Sequence, residues 1–508
     1  MSTHPETAKS PPFYESAVRA GLVLIIWFAS WAHAAHDLWA ACTVFFFVSL
    51  MTLLLLFGRS RDRKPIRIPL LTPSITLVTI FWLSLLHSYD KNATQLEAWG
   101  WTFALLIFYL GINVLDTAAG REAFFRGSGL AVIPMALYCL WQQLTGTTDS
   151  WGHWEIHGSL MNSVVLAGFA LNWLFFFWSD RKKIGAYSSI FLAASALLLL
   201  LARSWWSLTA ITAGALTLNW ASFRSWMRDH GRATFFLIAF VLAAIGTMIG
   251  FKLHRHPGPY VGSSRFYYWW TTVSMWKSAP WTGIGLGGFA TAFSFFKKGH
   301  TQTTLFAHSF VLQLLAEAGL AGVAAAVYWG GCLYRETRNH PNTDETVFPA
   351  TLVAVLWFSF ININLEYLLN KIIFLLVAAA WLGDRPIRSV RLRPIWALTA
   401  GLCIVGVAPF WIKLLVGSRI YTAGVQNEQR FAWANAQKNY MDAITVDPSL
   451  SDSYWRLALL DVGEWKAQHS PELLKEAVLY LDKAIYYKKD PLYFDTKKLL
   501  VSVIDRQP

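Results

Sequence analysis

Long apolar runs separated by short polar connections dominate the chain. Runs near residues 17–35, 38–58, 70–87, 98–117, 127–143, 160–178, 185–202, 204–222, 233–251, 306–330, 347–363, 367–384 and 394–416 reach about 18–22 residues, enough to cross a bilayer as helices. The pattern predicts an all-α, polytopic membrane protein with about thirteen transmembrane helices. The first apolar region is not followed by a small-residue cleavage site, so it reads as a retained span and not as a removable leader. A long polar connection, about 252–305, interrupts the runs, and polarity rises again from about 417.

Basic residues cluster in alternate connections: Arg59 to Arg67, Arg121 and Arg126, Arg181 to Lys183, Arg224 to Arg232, Arg335 and Arg338, and Arg385 to Arg393. The intervening short loops carry almost no Lys or Arg, including the turn from Asn364 to Lys371. The positive-inside rule then puts the N-terminus in the cytoplasm, and an odd number of spans puts the C-terminus outside. Residues 252–305 become an external loop although they hold Lys252, Arg255, Arg265, Lys277, Lys297 and Lys298. Long loops are exempt from the rule, and the lysines there suit a solvated external face.

Composition agrees with this picture. Of 508 residues 55% are hydrophobic, 16% aromatic and only 14% charged. The four cysteines, Cys42, Cys139, Cys332 and Cys403, all fall in apolar runs, where they behave as small hydrophobes and offer neither a disulfide framework nor a metal pattern. The segment HWEIH, His153 to His157, has a glutamate between two histidines but lies in an external loop, and metal binding is not assigned to it.

Three residues carry candidate chemistry. Arg265 lies in SSRFYYWWTTVSMW, a helix-compatible segment whose aromatics suit the membrane interface, where a guanidinium can meet a phosphate and stay solvated. Arg203 sits where one apolar run ends and the next begins, and a charge at full membrane depth would cost roughly 2.5–3.5 kcal/mol. It is either a snorkelling anchor or half of an anion site shared with Arg265, since guanidinium forks match phosphate oxygens. His308 opens the next apolar run on the external side and can accept a proton from a hydroxyl. Glu317, nine residues on, is about 13 Å deeper by helix rise and reads as a polar packing residue.

The order Arg203, then Arg265, then Pro280-x-x-Gly283-x-Gly285, then His308-x8-Glu317-x-Gly319 resembles the superfamily of O-antigen ligases, O-antigen polymerases and bacterial protein O-oligosaccharyltransferases. The motifs cover roughly 155–330. Ser309 stands where the family often has asparagine after the histidine, and GSLMNSVVLAG keeps Gly158 and Asn162 but has Ser163 in place of a proline. The resemblance implies a glycosyltransferase that takes a glycan from undecaprenyl diphosphate at the periplasmic face of the inner membrane. Its acceptor would be a hydroxyl of lipid A core, of a growing glycan or of a protein. No cofactor, nucleotide sugar or obligatory metal is implied. Arg203 and Arg265 would bind the diphosphate, and His308 would activate the acceptor or touch the leaving group. The chemistry suits these residues, because a diphosphate is already a good leaving group and the protein need only neutralise charge and orient a hydroxyl.

Residues 1–416 are thus read as the transmembrane domain and 417–508 as a periplasmic, helical, tetratricopeptide-like domain. In the tail Ala443, Ile444, Asp447 and Pro448 are echoed by Ala484, Ile485, Asp490 and Pro491, an offset longer than the usual repeat of about 34. Partner contact and capping of the external loop are both open for this domain. A lipid-linked glycan flippase or other transporter is the alternative of another class. It would be expected to carry internal repeats and broken helices near the midplane.

Overall fold

A computed structural model of the chain describes residues 11–146, 156–160, 162–184, 186–229, 265–297, 303–338, 346–383, 385–391 and 393–505. Among these residues the architecture is helical, apart from an antiparallel pairing of Ile66–Arg67 (β1) with Ser389–Val390 (β2). The expected span near 233–251, and Lys252, Arg255, Lys298 and His153, lie outside the described residues.

The protein is a multi-pass helical membrane protein, but the expected count of about thirteen spans is overturned. Among the described residues six helical stretches are long and apolar enough to cross a membrane. They are Phe13–Trp31 (α1), Leu38–Arg61 (α2), Lys91–Val114 (α4), Ala118–Thr145, Phe310–Arg338 (α13) and Pro394–Gln429 (α16). Ala118–Thr145 comprises Ala118–Gly129 (α5) and Val132–Thr145 (α6). Apolar composition alone does not give spanning length. Five further apolar stretches, Leu71–His87, Ser163–Trp178, Ser188–Leu201, Val347–Ile361 (α14) and Leu368–Leu382 (α15), are shorter. A helix of fifteen residues such as α15 rises only about 22 Å, against a hydrocarbon core of roughly 30 Å.

The remaining helices are Leu71–Leu83 (α3), Ser163–Ile184 (α7), Ala186–Leu201 (α8), Trp205–Leu218 (α9), Trp220–Asp229 (α10), Arg265–Ser278 (α11) and Phe289–Phe296 (α12). Helix α15 is buried along nearly its whole length and packs on α4, with α1, α2, α7 and α14 around the pair. Stacked rings fill the interior, such as Phe45 on Phe103 with centroids 4.4 Å apart. Burial of this kind on both faces fits an apolar run without a polar stripe.

Helix α4 separates two chemically different ends. Its 24 residues extend about 36 Å. At its carboxyl end Arg59 donates to Asn113 Oδ1 at 2.8 Å and to Pro65 O at 2.6 Å, and Arg67 donates to the carbonyls of Gly383 and Arg385. Helices end with unpaired carbonyls, so these arginines cap the ends they neighbour. At its amino end Asp90 accepts from Ala93 N at 3.0 Å as an N-cap.

The C-terminal residues form Trp433–Val446 (α17), Ser451–Gln468 (α18), Pro471–Tyr487 (α19) and Pro491–Ile504 (α20), with small and aromatic residues such as Ala477, Ala484, Tyr454 and Tyr493 buried between them. They dock on the amino end of α4. Lys489 N donates to Tyr89 O at 2.7 Å, Asn92 Nδ2 donates to Asp447 Oδ2 at 3.1 Å, and Phe494 meets Phe295 edge to face at 6.0 Å.

Candidate functional site

The motif glycines build a clasp. Helix α13 breaks at Gly319, whose φ of 65° and ψ of −166° belong to a region open essentially to glycine alone. The freed backbone pairs with the strip after α11. Ile284 N donates to Ala316 O and Gly285 N to Glu317 O, both at 2.9 Å, while Leu320 N donates to Pro280 O at 2.9 Å. Gly283 has φ 68° and no room for a Cβ against the Glu317 carbonyl, and a Cβ on Gly319 would collide with Trp281 C. The other edge of the strip is held by Tyr89 N donating to Ile284 O at 2.9 Å and by Thr94 Oγ1 donating to Leu286 O at 2.6 Å. A tract that suggests flexibility in the sequence is a fixed connection, because positive φ and close backbone approach are what its glycines supply.

Glu317 serves this clasp. Its carboxylate accepts from Phe289 N at 3.2 Å, from Gln313 Nε2 at 2.8 Å and from the backbone of Gly287. Gln313 Oε1 in turn accepts from Ala307 N at 2.7 Å, immediately before His308. The E-x-G motif therefore orders the chain that presents the histidine.

His308 and Arg265 come together at the mouth of this clasp. Arg265 is the first residue of α11, and its Nη1 donates to Ile361 O at 2.9 Å at the end of α14. Trp206 of α9 lies with its ring 5.9 Å from the guanidinium carbon. Ser309 Oγ donates to Phe360 O at 2.7 Å and Phe310 N to Asn362 O at 3.2 Å, so the same end of α14 holds both residues. Tyr268 stacks on the imidazole at 5.5 Å and 23°. Burial and, next, the charge of Arg265 pull the His308 pKa down to about 4. Burial also lowers the Arg265 value.

Arg203 occupies the exposed corner between α8 and α9, three residues before Trp206. Its φ is 49° and that of His308 is 54°. Non-glycine residues held in the left-handed region are uncommon and gather at functional sites.

A second ionisable group lies nearby and was missed in the sequence. Lys371 Nζ is 2.6 Å from Glu97 Oε2, with 2% of its side chain exposed, and sits 4.9 Å above Trp101. Glu366, on the turn after α14, has a buried Oε1 without a hydrogen-bond partner among the described residues. Burial first, and then Glu317, raises its pKa. Tyr367 next to it packs on His36 at 5.1 Å and on Phe306 at 5.9 Å. The signal was available, since a lysine in the apolar run LLNKIIFLLVAAAWL should have a partner.

Among the described residues no three His, Cys, Asp or Glu gather as a metal would require. A cavity of about 320 Å³ lies at the opposite end, lined by Glu15, Arg59, Lys64, Arg67, Asp116 and Arg385 among others. Arg59 and Arg67 donate there to the helix-end carbonyls of Asn113 and Gly383. No family model matches the chain, and no curated protein matches it.

Proposed function

We propose that the chain is an O-antigen ligase-like glycosyltransferase, moving a glycan from undecaprenyl diphosphate to an acceptor hydroxyl on lipid A core or a comparable glycan. The observation that carries this reading is the placement of a half-buried, partly anchored arginine beside a neutral histidine. Arg265 spends Nη1 on Ile361 O, and the rest of its fork suits a phosphate oxygen pair. His308, neutral at physiological pH, takes the acceptor proton as the hydroxyl oxygen attacks the anomeric carbon. The bond from that carbon to the phosphate oxygen breaks, and its electron pair leaves on the diphosphate. Arg265, with Arg203 at the adjoining corner, neutralises the charge that develops there.

The orientation proposed for this site is periplasmic, in a bacterial inner membrane with the N-terminus in the cytoplasm. Arg59, Lys64, Arg67 and Arg385 gather at the opposite end of α4, and basic ends face the cytoplasm. The test is transfer by the purified full chain from a defined undecaprenyl-diphosphate glycan to lipid A core, to a glycan and to a protein hydroxyl in turn. Transfer that falls at least a hundredfold in Arg265→Ala and His308→Ala is expected. Transfer undiminished in both variants would reject the reading.

A further inference from the structure

Helix α11 presents more than Arg265 to this site. Tyr268 follows Arg265 at three residues, a spacing that puts both on one face of a helix. The tyrosine is 7% exposed, and its ring lies nearly parallel to the His308 imidazole, 5.5 Å between centroids and 23° between planes. Phe293 of α12 meets the same ring edge to face at 5.9 Å and 70°. Tyr268 O accepts from Thr272 Oγ1 at 2.6 Å.

His308 needs such a wall. It sits outside regular helix with φ 54°, two residues before α13 begins, so no helical turn restricts its side chain. The bonds that hold this strip are made by its neighbours, Ala307 N to Gln313 and Ser309 Oγ to Phe360 O. They fix the backbone and leave the imidazole orientation to packing. A ring stacked at this distance favours one orientation of the imidazole over its alternatives.

We infer that Tyr268 is a positioning residue, whose ring locks the His308 imidazole beside Arg265 so that one helix sets both the anion-binding group and the proton acceptor. The role belongs to the aromatic ring and not to the phenol oxygen. This inference rests on the glycosyl-transfer reading for its kinetic consequence, but not for its geometric one.

The experiment compares Tyr268→Phe with Tyr268→Leu in the full chain, each checked for monodispersity and thermal stability in detergent. Leucine fills the space without a ring. The expected result is kcat lowered at least tenfold in Tyr268→Leu with KM for the lipid-diphosphate donor within threefold, and both within twofold of wild type in Tyr268→Phe. In parallel, the imidazole of His308 is titrated by nuclear magnetic resonance with labelled histidine, its signal assigned by loss in His308→Gln. Its midpoint should stay low in Tyr268→Phe and rise toward 6.5 in Tyr268→Leu, as the freed ring leaves its buried place and the charge of Arg265. An unchanged midpoint in Tyr268→Leu overturns the inference whether or not transfer is observed. Absent transfer in wild type with the expected midpoint rise would reject the glycosyl-transfer reading and leave the positioning role standing.

Discussion

At His308 two effects act in one direction, since burial and the Arg265 charge both penalise the imidazolium. The neutral imidazole is the working base, so activity is lost only where acid protonates it. The acid limb of kcat/KM, which reports the free protein, is therefore expected at about 4 and not near 6.5. In the donor complex the diphosphate's negative charge offsets that of Arg265, so the limb of kcat should move to higher pH. Coincident limbs in both profiles would contradict the coupling. Arg265→Lys keeps a positive charge but loses the planar fork, so transfer should fall about tenfold, a change near 1.4 kcal/mol, with the kcat/KM limb unmoved. Arg265→Gln should raise that limb. Of this candidate site Arg265 and His308 stand out in the sequence, because polar groups at the edges of apolar runs are conspicuous. The stack with Tyr268 and the bond to Ile361 O join segments far apart in the chain, and no local pattern announces them.

At the scale of elements, the two glycine motifs form a single device. Pro280-x-x-Gly283-x-Gly285 and Glu317-x-Gly319 are legible separately as motifs, but their reciprocal bonding depends on a break inside α13 that its apolar periodicity conceals. Gly319→Ala and Gly283→Ala should each destabilise by roughly 1–3 kcal/mol from backbone strain alone, with the steric contacts adding to it. Gly330→Ala, which has open space around its Cβ position, should gain slightly from helix propensity. Thermal unfolding of the three variants in detergent checks this, and equal melting for all three would show that the clasp is not rigid. Glu317→Gln retains an acceptor oxygen for Phe289 N and is expected to be milder than Glu317→Ala, which strands buried donors at about 1–3 kcal/mol.

For the whole molecule, the apolar runs announced membrane helices, whereas the number that span depended on helix ends and breaks. Short helices such as α15 are apolar because protein surrounds them, not because lipid does. Without the thirteen spans an odd count no longer puts the C-terminus outside, and the tail's side follows instead from α4. The tail packs against Tyr89 and Asn92 at the amino end of α4, and Lys91 Nζ lies 3.2 Å from the ring centroid of Tyr486. Arg59 and Arg67 bind Asn113 at the other end of the same helix. Since α4 is long and apolar enough to cross the membrane, the tail and these arginines should be on opposite sides of it. The positive-inside rule assigns the arginines to the cytoplasm. A periplasm-dependent reporter fused after Pro508 should be active, and the same reporter inserted between Arg61 and Lys64 should be silent. A cytoplasm-dependent reporter should give the reverse. Equal signals from the two positions would mean that α4 does not cross, and a reversed pattern would put Arg265 and His308 in the cytoplasm, away from any periplasmic lipid-linked donor.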